Sequence, residues 1–384
     1  MDAYVWFRKF CTRNRGSLYA RCLCIGLCAA CVVFAAGELP LERKETVNNR
    51  IAKAMLKAEV SMRFKGETNE QFLLWQDRFR SQLNVLLGDS HPPKTWKVIH
   101  QERTKQSDHT RYALFLETEE NLSLPIYLLV PNGLKKDERA PGVICVHGHG
   151  PFGHDAVVGR SDREGIRENI AAHDYDYGLQ FVRRGYVVVA PCMIPFGRRV
   201  DVEHYGGNDP CAVTFVRRQA LGQLPITSNL RDLRWSIDFL QSQPQVAPDR
   251  IGCAGLSYGG RMTMMLAAVD QRVKVAAVSG ALNLLQERLT SRHSCGSQVI
   301  PGLLKWGDYS EIGSLIAPRP CVWETGSKDP LIVDPWAELF RNRLRHAYRL
   351  SEAKDDLLFD EFHGGHRWNG SVAYTLFDQV LRKR

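Results

Sequence analysis

The sequence lacks the hallmarks of several protein classes. Its 384 residues contain no internal repeat and no low-complexity tract, and 44% hydrophobic with 24% charged residues is the composition of a packed, folded protein. Part of the net charge of +9 lies in the first 36 residues, and the +5 that remains is spread along the chain, which argues against nucleic-acid binding. No apolar run reaches the roughly 20 residues that a membrane-spanning helix needs. The length suits one large domain with extensions, or two modest domains.

One short apolar run, Cys22–Ala36, lies near the N-terminus. It follows a basic stretch that ends at Arg21 and precedes a helix-breaking Pro40, an arrangement typical of a secretory signal. Val33-Phe34-Ala35 would serve as a cleavage site. We therefore expect residues 1–36 to direct export; an uncleaved membrane anchor, a lipoprotein signal and a misassigned start codon are the alternatives.

Cysteine patterns typical of disulfide frameworks or metal sites are missing from the rest of the chain. Five of the 11 cysteines lie in the N-terminal segment, and the other six show no CxxC spacing. Cys145, Cys253 and Cys321 fall in apolar runs that predict buried strands, where cysteine is most often a small hydrophobic residue. Cys211 and Cys295 fall in predicted loops and could form a disulfide with each other.

Two helices are predicted ahead of the main domain. A polar helix is expected from Leu41 to Arg63, and a second over Asn69–Leu87 because apolar residues recur there at helical spacing. These helices predict an N-terminal helical extension over residues 37–93, packed on a catalytic domain over residues 94–384.

Strands dominate the pattern after residue 94. The first three, Trp96–His100, Tyr112–Glu117 and Pro125–Val130, are separated by polar turns and predict antiparallel pairing. From Pro141 onward, continuous apolar strands alternate with helical stretches. This pattern predicts an α/β fold with a mostly parallel central sheet and helices on both faces. The apolar strands expected there are Val143–Val146, Val187–Ala190, Ile251–Ala254, Val273–Val278, Cys321–Trp323 and Leu357–Phe362, and the helices include Ile226–Gln241 and Gly259–Ala268.

The strongest motif is Gly255-Leu256-Ser257-Tyr258-Gly259. A GxSxG pattern alone is weak, but this one follows a predicted strand and precedes a predicted helix, which is the context of a nucleophile elbow. The glycines allow strand and helix to approach closely, and the turn presents the serine hydroxyl at a helix N-terminus, where the dipole favours an oxyanion. Ser257 is therefore the predicted nucleophile.

A serine nucleophile needs a base, and the base needs an acid that orients it. On the α/β-hydrolase fold these follow the serine in the order acid, then histidine. Asp329 comes just after a predicted strand and is the predicted acid, with Asp334 as the fallback. His366 is the predicted base rather than His363, because the glycines before it let the chain turn across the top of the sheet.

The segment His147-Gly148-His149-Gly150 follows another predicted strand and is similar to the HGGG-type oxyanion segment, with His149 in the third place. The amides of His149 and Tyr258 are the predicted oxyanion donors. A rival interpretation is a metal-dependent hydrolase that uses His147 and His149, with His154 and Asp155 nearby, although no second cluster with metal-ligand spacing follows.

From about Phe72 to the C-terminus, the chain resembles dienelactone-hydrolase-like α/β-hydrolases of the branch grouped with acetyl xylan esterases. The matching segments are Trp75–Gly88, His147–Gly150, Pro195–Arg199, Arg250–Gly260 and Phe362–Gly370. The resemblance implies an α/β-hydrolase fold and ester hydrolysis without a cofactor, often on acylated carbohydrate. Its Gly-Gly-His segment matches Gly364-Gly365-His366 and also favours His366 as the base.

The sequence thus predicts a serine esterase that cleaves short-acyl, chiefly acetyl, esters of carbohydrates or other small molecules, with no metal or cofactor. A serine peptidase of the same fold is the alternative, but no propeller-sized N-terminal domain is present to gate peptides. A noncatalytic binding protein usually lacks a triad member, and none is missing here.

Two insertions between sheet elements, 199–225 and 281–312, are predicted to be long and irregular and to shape the substrate pockets. Candidate pocket aromatics are Tyr205, Trp306, Tyr309 and Trp368, most of which are expected to pack in the core.

Overall fold

Nine strands form a single mixed sheet in the computed structural model of the chain. The structure describes residues 46–120, 122–135, 137–200, 205–291 and 294–382. The described residues from Val47 onward form one compact unit. The predicted export segment, residues 1–36, lies outside the described residues. In the part of the chain that the structure describes, no helix is both long and apolar enough to span a membrane.

The strands lie in the order β1-β2-β3-β5-β4-β6-β7-β8-β9. The first three strands and β5 pair antiparallel, and all pairs from β5 across to β9 are parallel. The predicted antiparallel start and parallel remainder are therefore confirmed. Their bounds are β1 Lys97–Lys105, β2 His109–Glu117, β3 Ser123–Pro131, β4 Ala140–Val146, β5 Val187–Pro191, β6 Val246–Leu256, β7 Val273–Ser279, β8 Cys321–Gly326 and β9 Leu357–Phe362.

Side chains of the central strands alternate between two hydrophobic cores. In β4, Val143 and Cys145 are buried in one core, while Ile144 and Val146 are buried in the other. Because successive side chains of a strand point to opposite faces, the sheet separates two layers that both exclude water. This explains the continuous apolar runs in the sequence, which are typical of strands covered on both faces.

Helices cover both faces of the sheet, as predicted. The helices are α1 Val47–Leu56, α2 Asn69–Leu87, α3 His154–Val157, α4 Ile166–His173, α5 Tyr177–Arg183, α6 Pro210–Ala220, α7 Pro225–Ser242, α8 Tyr258–Val269, α9 Leu285–Ser291, α10 Leu303–Trp306, α11 Tyr309–Ser314, α12 Trp336–Leu350 and α13 Ser371–Leu381. Helices α2, α7, α8, α11 and α12 contribute to the core on one face, and α3, α5 and α13 to the core on the other.

The first helix is shorter than predicted. It was expected over residues 41–63, but α1 ends at Leu56, where the side-chain amide of Gln286 donates to the carbonyl oxygens of Met55 and Leu56, both at 2.8 Å. These contacts satisfy carbonyls that a continuing helix would use itself. The second helix matches its prediction: Thr68 caps its start, and Gly88, at φ +72°, ends it.

The two insertions were predicted to be irregular, and this was wrong. The 199–225 insertion contains α6, whose first turn is set by the side chain of Asp209 accepting from the backbone N–H of Ala212 and by Pro210 at its first position. The 281–312 insertion contains three short helices, α9, α10 and the start of α11. Each is too short to show a clear apolar period in the sequence.

Candidate active site

Ser257 lies in the sharp turn between β6 and α8. Its backbone has φ +64° and ψ −120°, a conformation that non-glycine residues rarely adopt and that costs on the order of 1–3 kcal/mol. Its N–H donates to the carbonyl oxygen of Ser279 at 2.9 Å. This places the serine at the carboxyl edge of the sheet and at the N-terminus of a twelve-residue helix.

The elbow requires the two flanking glycines because strand and helix are in contact there. A Cβ atom on Gly259 would lie 1.8 Å from the carbonyl oxygen of Val146, and one on Gly255 would lie 2.5 Å from the carbonyl carbon of Gly259. Any side chain at either position would push α8 away from the sheet, so the GxSxG spacing follows from close packing.

The predicted acid and base are in direct contact. Nδ1 of His366 lies 2.7 Å from Oδ2 of Asp329, whose side chain is only 1% exposed. The other carboxylate oxygen of Asp329 accepts from the backbone N–H of Leu331 at 2.8 Å. Among the residues that the structure describes, Nε2 of His366 is buried and has no hydrogen-bond partner. The ring therefore has one nitrogen fixed by a carboxylate and the other available for chemistry.

The imidazole of His366 packs against Gly280. This glycine directly follows Ser279, whose carbonyl oxygen accepts from the Ser257 amide. A Cβ on Gly280 would lie 2.6 Å from Cε1 of the imidazole. The N–H of Gly280 donates to the carbonyl oxygen of Glu324 at 3.0 Å, which fixes this turn to β8. The predicted base and the predicted nucleophile are thus brought to the same turn at the end of β7.

The loop that carries His366 is held at both ends. The N–H groups of Ser327 and Lys328 donate to the carbonyl oxygens of Phe362 and Gly364, at 2.9 and 2.7 Å. Beyond His366, the carboxylate of Glu324 accepts from the backbone N–H of Gly370 at 2.8 Å. Burial raises the pKa of Glu324 to about 7. These contacts position the imidazole of His366, and sequence reasoning missed the part played by Glu324.

The fallback acid and the competing histidine are placed differently. The side chain of Asp334 is 77% exposed and faces Arg341 at 3.8 Å. His363 is exposed. The structure therefore groups Asp329 and His366 with Ser257, and leaves the two alternatives outside that group.

The loop after β4 passes directly over Ser257. A Cβ on Gly148 would lie 3.0 Å from Cβ of Ser257. The N–H of Gly148 already donates to the hydroxyl of Tyr175 at 2.6 Å. Within the described ranges, the N–H groups of His149 and Tyr258 have no hydrogen-bond partner. Both predicted oxyanion donors therefore remain available next to Ser257.

The rival metal site does not assemble around His147. Its Nδ1 donates to the carbonyl oxygen of Gly148 at 2.7 Å, and its Nε2 accepts from the N–H of Met193 at 2.8 Å, so neither nitrogen is left for an ion. Burial lowers the pKa of His147 to about 4 and that of His154 to about 3. Both are neutral structural histidines, and His154 bonds to the carbonyl oxygen of Ala190.

A different cluster, which the sequence did not reveal, joins His149 to two cysteines. One side-chain donor atom each from His149, Cys211 and Cys295 lies within 4.8 Å of the others. Cys211 is the second residue of α6 and is buried, so its predicted loop position was wrong. Both cysteines are free thiols, and the disulfide considered between them is absent from this part of the structure.

The candidate pocket aromatics mostly pack in the core. Tyr309 and Trp368 are fully buried, the first beneath the guanidinium of Arg261 and the second stacked on Tyr177. Tyr205 is partly exposed and its hydroxyl lies 3.2 Å from that of Thr214. Trp306 is partly buried and packs against the main core.

The fold and the arrangement around the elbow place this protein in the α/β-hydrolase class. Within that class, the chain belongs to the Abhydrolase family, whose model matches residues 43–373. The predicted fold class and the predicted relation to acetyl-xylan-esterase-related α/β-hydrolases are confirmed.

Individual relatives are more distant. A protein of Bacillus subtilis strain 168, provisionally named the hydrolase YtaP, is 28% identical over 288 residues that cover 72% of this chain and 89% of its own. A Bacteroides fragilis NCTC 9343 structure, provisionally named an acetyl xylan esterase, has a TM-score of 0.70 at 18% identity and covers 86% of this chain and 84% of that one. A glucuronoyl esterase from Solibacter usitatus has a TM-score of 0.60 at 14% identity and covers 80% of this chain and 93% of that one. The enzyme class predicted from the sequence, a carboxylic ester hydrolase, agrees with the family and with these names.

Proposed function

We propose that this protein is a serine esterase in which Ser257, His366 and Asp329 form the catalytic triad. The observation that carries the proposal is the 2.7 Å contact between His366 and Asp329, combined with an unpartnered Nε2 beside the nucleophile elbow. A buried carboxylate on Nδ1 fixes the tautomer in which Nε2 accepts a proton.

In the first half of the reaction, Nε2 of His366 removes the proton from Ser257 as Oγ attacks the ester carbonyl carbon. Asp329 stabilises the imidazolium, and the N–H groups of His149 and Tyr258 donate to the oxyanion of the tetrahedral intermediate. Collapse of this intermediate breaks the bond to the alcohol oxygen, and the imidazolium returns its proton to the departing alcohol.

In the second half, the same groups act on water. Nε2 of His366 takes a proton from a water molecule, whose oxygen attacks the acyl-enzyme carbonyl. The second tetrahedral intermediate collapses, the acid product leaves, and the proton returns to Oγ of Ser257. The reaction needs only the groups already present at the elbow and its neighbouring loops.

The substrates that we propose are short-acyl esters, chiefly acetyl esters of carbohydrates. The names of the fold neighbours support a carbohydrate ester. A cavity of about 630 Å³ beside His149 has a mainly apolar lining with a few polar groups, among them Asp209, Ser294 and Gln298, and these polar groups could orient a ligand that carries hydroxyls. The insertions also lack the long continuous apolar stretch of a lipase-type lid.

Hydrolysis of p-nitrophenyl acetate, p-nitrophenyl octanoate and acetylated xylan tests this proposal. We expect the acetate to be cleaved faster than the octanoate, release of acetate from the xylan, and near-background rates for Ser257→Ala. Ser107→Ala, an exposed serine in the turn between β1 and β2, is the matched control and should keep the full rate. Faster octanoate turnover would refute the acyl preference, and an active Ser257→Ala would refute the serine mechanism.

A further inference from the structure

Three segments that are distant in sequence meet at one point beside the active site. His149 belongs to the loop after β4, Cys211 to the first turn of α6, and Cys295 to the segment before a short 3₁₀ turn, Gly296–Gln298. Their donor atoms all lie within 4.8 Å of one another. Two thiol sulfurs and an imidazole nitrogen at such distances are the donor set and spacing of a tetrahedral soft-metal site, with metal–sulfur bonds of about 2.3 Å and metal–nitrogen bonds of about 2.0–2.1 Å.

The surroundings hold the imidazole of His149 and the sulfur of Cys295 in place. The backbone N–H of Ser297 donates to Sγ of Cys295 at 3.3 Å. The imidazole of His149 is held between the rings of Phe196 and Tyr258, whose centroids lie 4.9 and 5.2 Å away. The donors are therefore pre-positioned before any ion arrives.

We propose that His149, Cys211 and Cys295 bind one Zn²⁺ ion, and that this ion ties the oxyanion loop to the two insertions. Binding places both sulfurs on the metal as thiolates, and their protons pass to solvent. The three residues also line the cavity of about 630 Å³, so the fourth coordination position faces a space that admits water. The ion acts on catalysis by positioning His149, whose N–H is a proposed oxyanion donor.

A disulfide is the competing use of the two cysteines. It would need the two sulfurs about 2.05 Å apart and would leave the imidazole of His149 with no ion to bind. Both residues are free thiols here, and the imidazole lies within reach of each sulfur. A three-donor site accounts for all three residues, whereas a disulfide accounts for two.

Zinc content measured by mass spectrometry on purified full-length protein tests the proposal. We expect about one Zn²⁺ per chain, and loss of most of it in His149→Ala, Cys211→Ala and Cys295→Ala. His363→Ala and Cys321→Ala are the matched controls. His363 is exposed and Cys321 is buried in β8, so neither belongs to the cluster, and both variants should keep the ion. Undiminished zinc in the cluster variants would overturn the proposal.

A second readout needs no variant. Replacing zinc by Co²⁺ in the native chain should produce the near-ultraviolet sulfur-to-cobalt charge-transfer band of thiolate ligands. Non-reducing peptide mapping that finds a Cys211–Cys295 disulfide, or a metal-free protein that gives no cobalt band, would overturn the site. Removal of zinc should slow the reaction of Ser257 with a fluorophosphonate several-fold without abolishing it. The zinc proposal can therefore fail while Ser257 still labels, whereas failure of the serine mechanism would leave Ser257 unlabelled.

Discussion

Gly280 lies so close to His366 that the imidazole occupies the space where a side chain at position 280 would begin. A Cβ on Gly280 would be 2.6 Å from Cε1 and 3.0 Å from Nδ1 of the ring. The glycine also has φ +61°, a conformation that L residues seldom adopt. The position of the base therefore depends on a residue that no triad motif includes.

Gly280→Ala should displace His366 and lower kcat at least tenfold, because a misplaced base loses its alignment with Ser257. Gly88→Ala is the matched control: Gly88 has φ +72° but nothing within 4 Å of its Cβ position. Both variants should lose about 1–3 kcal/mol of unfolding free energy from the backbone conformation. Equal kcat values for the two variants would show that the contact between Gly280 and His366 does not position the imidazole for catalysis.

The acid is tested by Asp329→Asn and Asp334→Asn. We expect the first to lower kcat by about 10⁴-fold, because an amide can hold the wrong tautomer of His366, and the second to leave kcat nearly unchanged. Steady-state kinetics with p-nitrophenyl acetate measure both. A strong loss in Asp334→Asn alone would move the acid to that residue.

The base is tested by His366→Ala and His363→Ala, after circular dichroism has shown that both are folded. His366→Ala should lower kcat by about 10³-fold or more. His363→Ala should keep most of its kcat because its side chain is exposed. The reverse pattern would assign the base to His363.

Glu324 should make stability depend on pH. Its pKa is about 7 in the folded protein and near 4.5 when the chain is unfolded, so the folded state holds the proton more tightly between these values. The unfolding free energy should therefore fall as pH rises from 4.5 to 7, by roughly 3 kcal/mol from this group.

Glu324→Gln removes the titrating group and keeps an acceptor for Gly370. Denaturant unfolding at pH 5 and pH 8 gives the change in unfolding free energy between the two pH values. We expect this change to be more positive in the variant than in the native chain by roughly 2–3 kcal/mol, because the variant lacks the opposing contribution of Glu324 while the buried histidines contribute equally to both. Glu361→Gln, an exposed glutamate paired with Arg341, is the control and should follow the native chain. Identical profiles of unfolding free energy against pH for Glu324→Gln and the native protein would show that the buried carboxyl of Glu324 does not titrate between pH 5 and pH 8.

Export remains a prediction from the basic and apolar segments of residues 1–36. N-terminal sequencing of the mature protein from its native host should find a start near Ala36. Recovery of a soluble cytoplasmic protein with Met1 intact would exclude export.

The elbow and the order of the triad candidates could be predicted because their signals are local. A strand, the GxSxG turn and a helix are contiguous, and Asp329 and His366 each follow a strand whose apolar run is visible in the sequence. The helices of the insertions are too short to show a helical spacing of apolar residues in the sequence. For α6, the pair Asp209-Pro210 is a helix-start signal that could have been used.

The cluster of His149, Cys211 and Cys295 could not be predicted in the same way. Its members come from three separate segments, and only the packing of both insertions against the β4 loop brings them together. Glu324 was hidden for a related reason: it lies in an apolar strand, and its partner at Gly370 is a backbone group that no side-chain pattern reveals.

Covalent labelling tests most directly whether Ser257 is the nucleophile. Treatment of the active protein with a fluorophosphonate, followed by peptide mass spectrometry, should place a single adduct on Ser257, with loss of esterase activity in step with labelling. Asp329→Asn and His366→Ala should label far more slowly. An adduct on another residue, or an enzyme that stays active and unlabelled, would contradict the account.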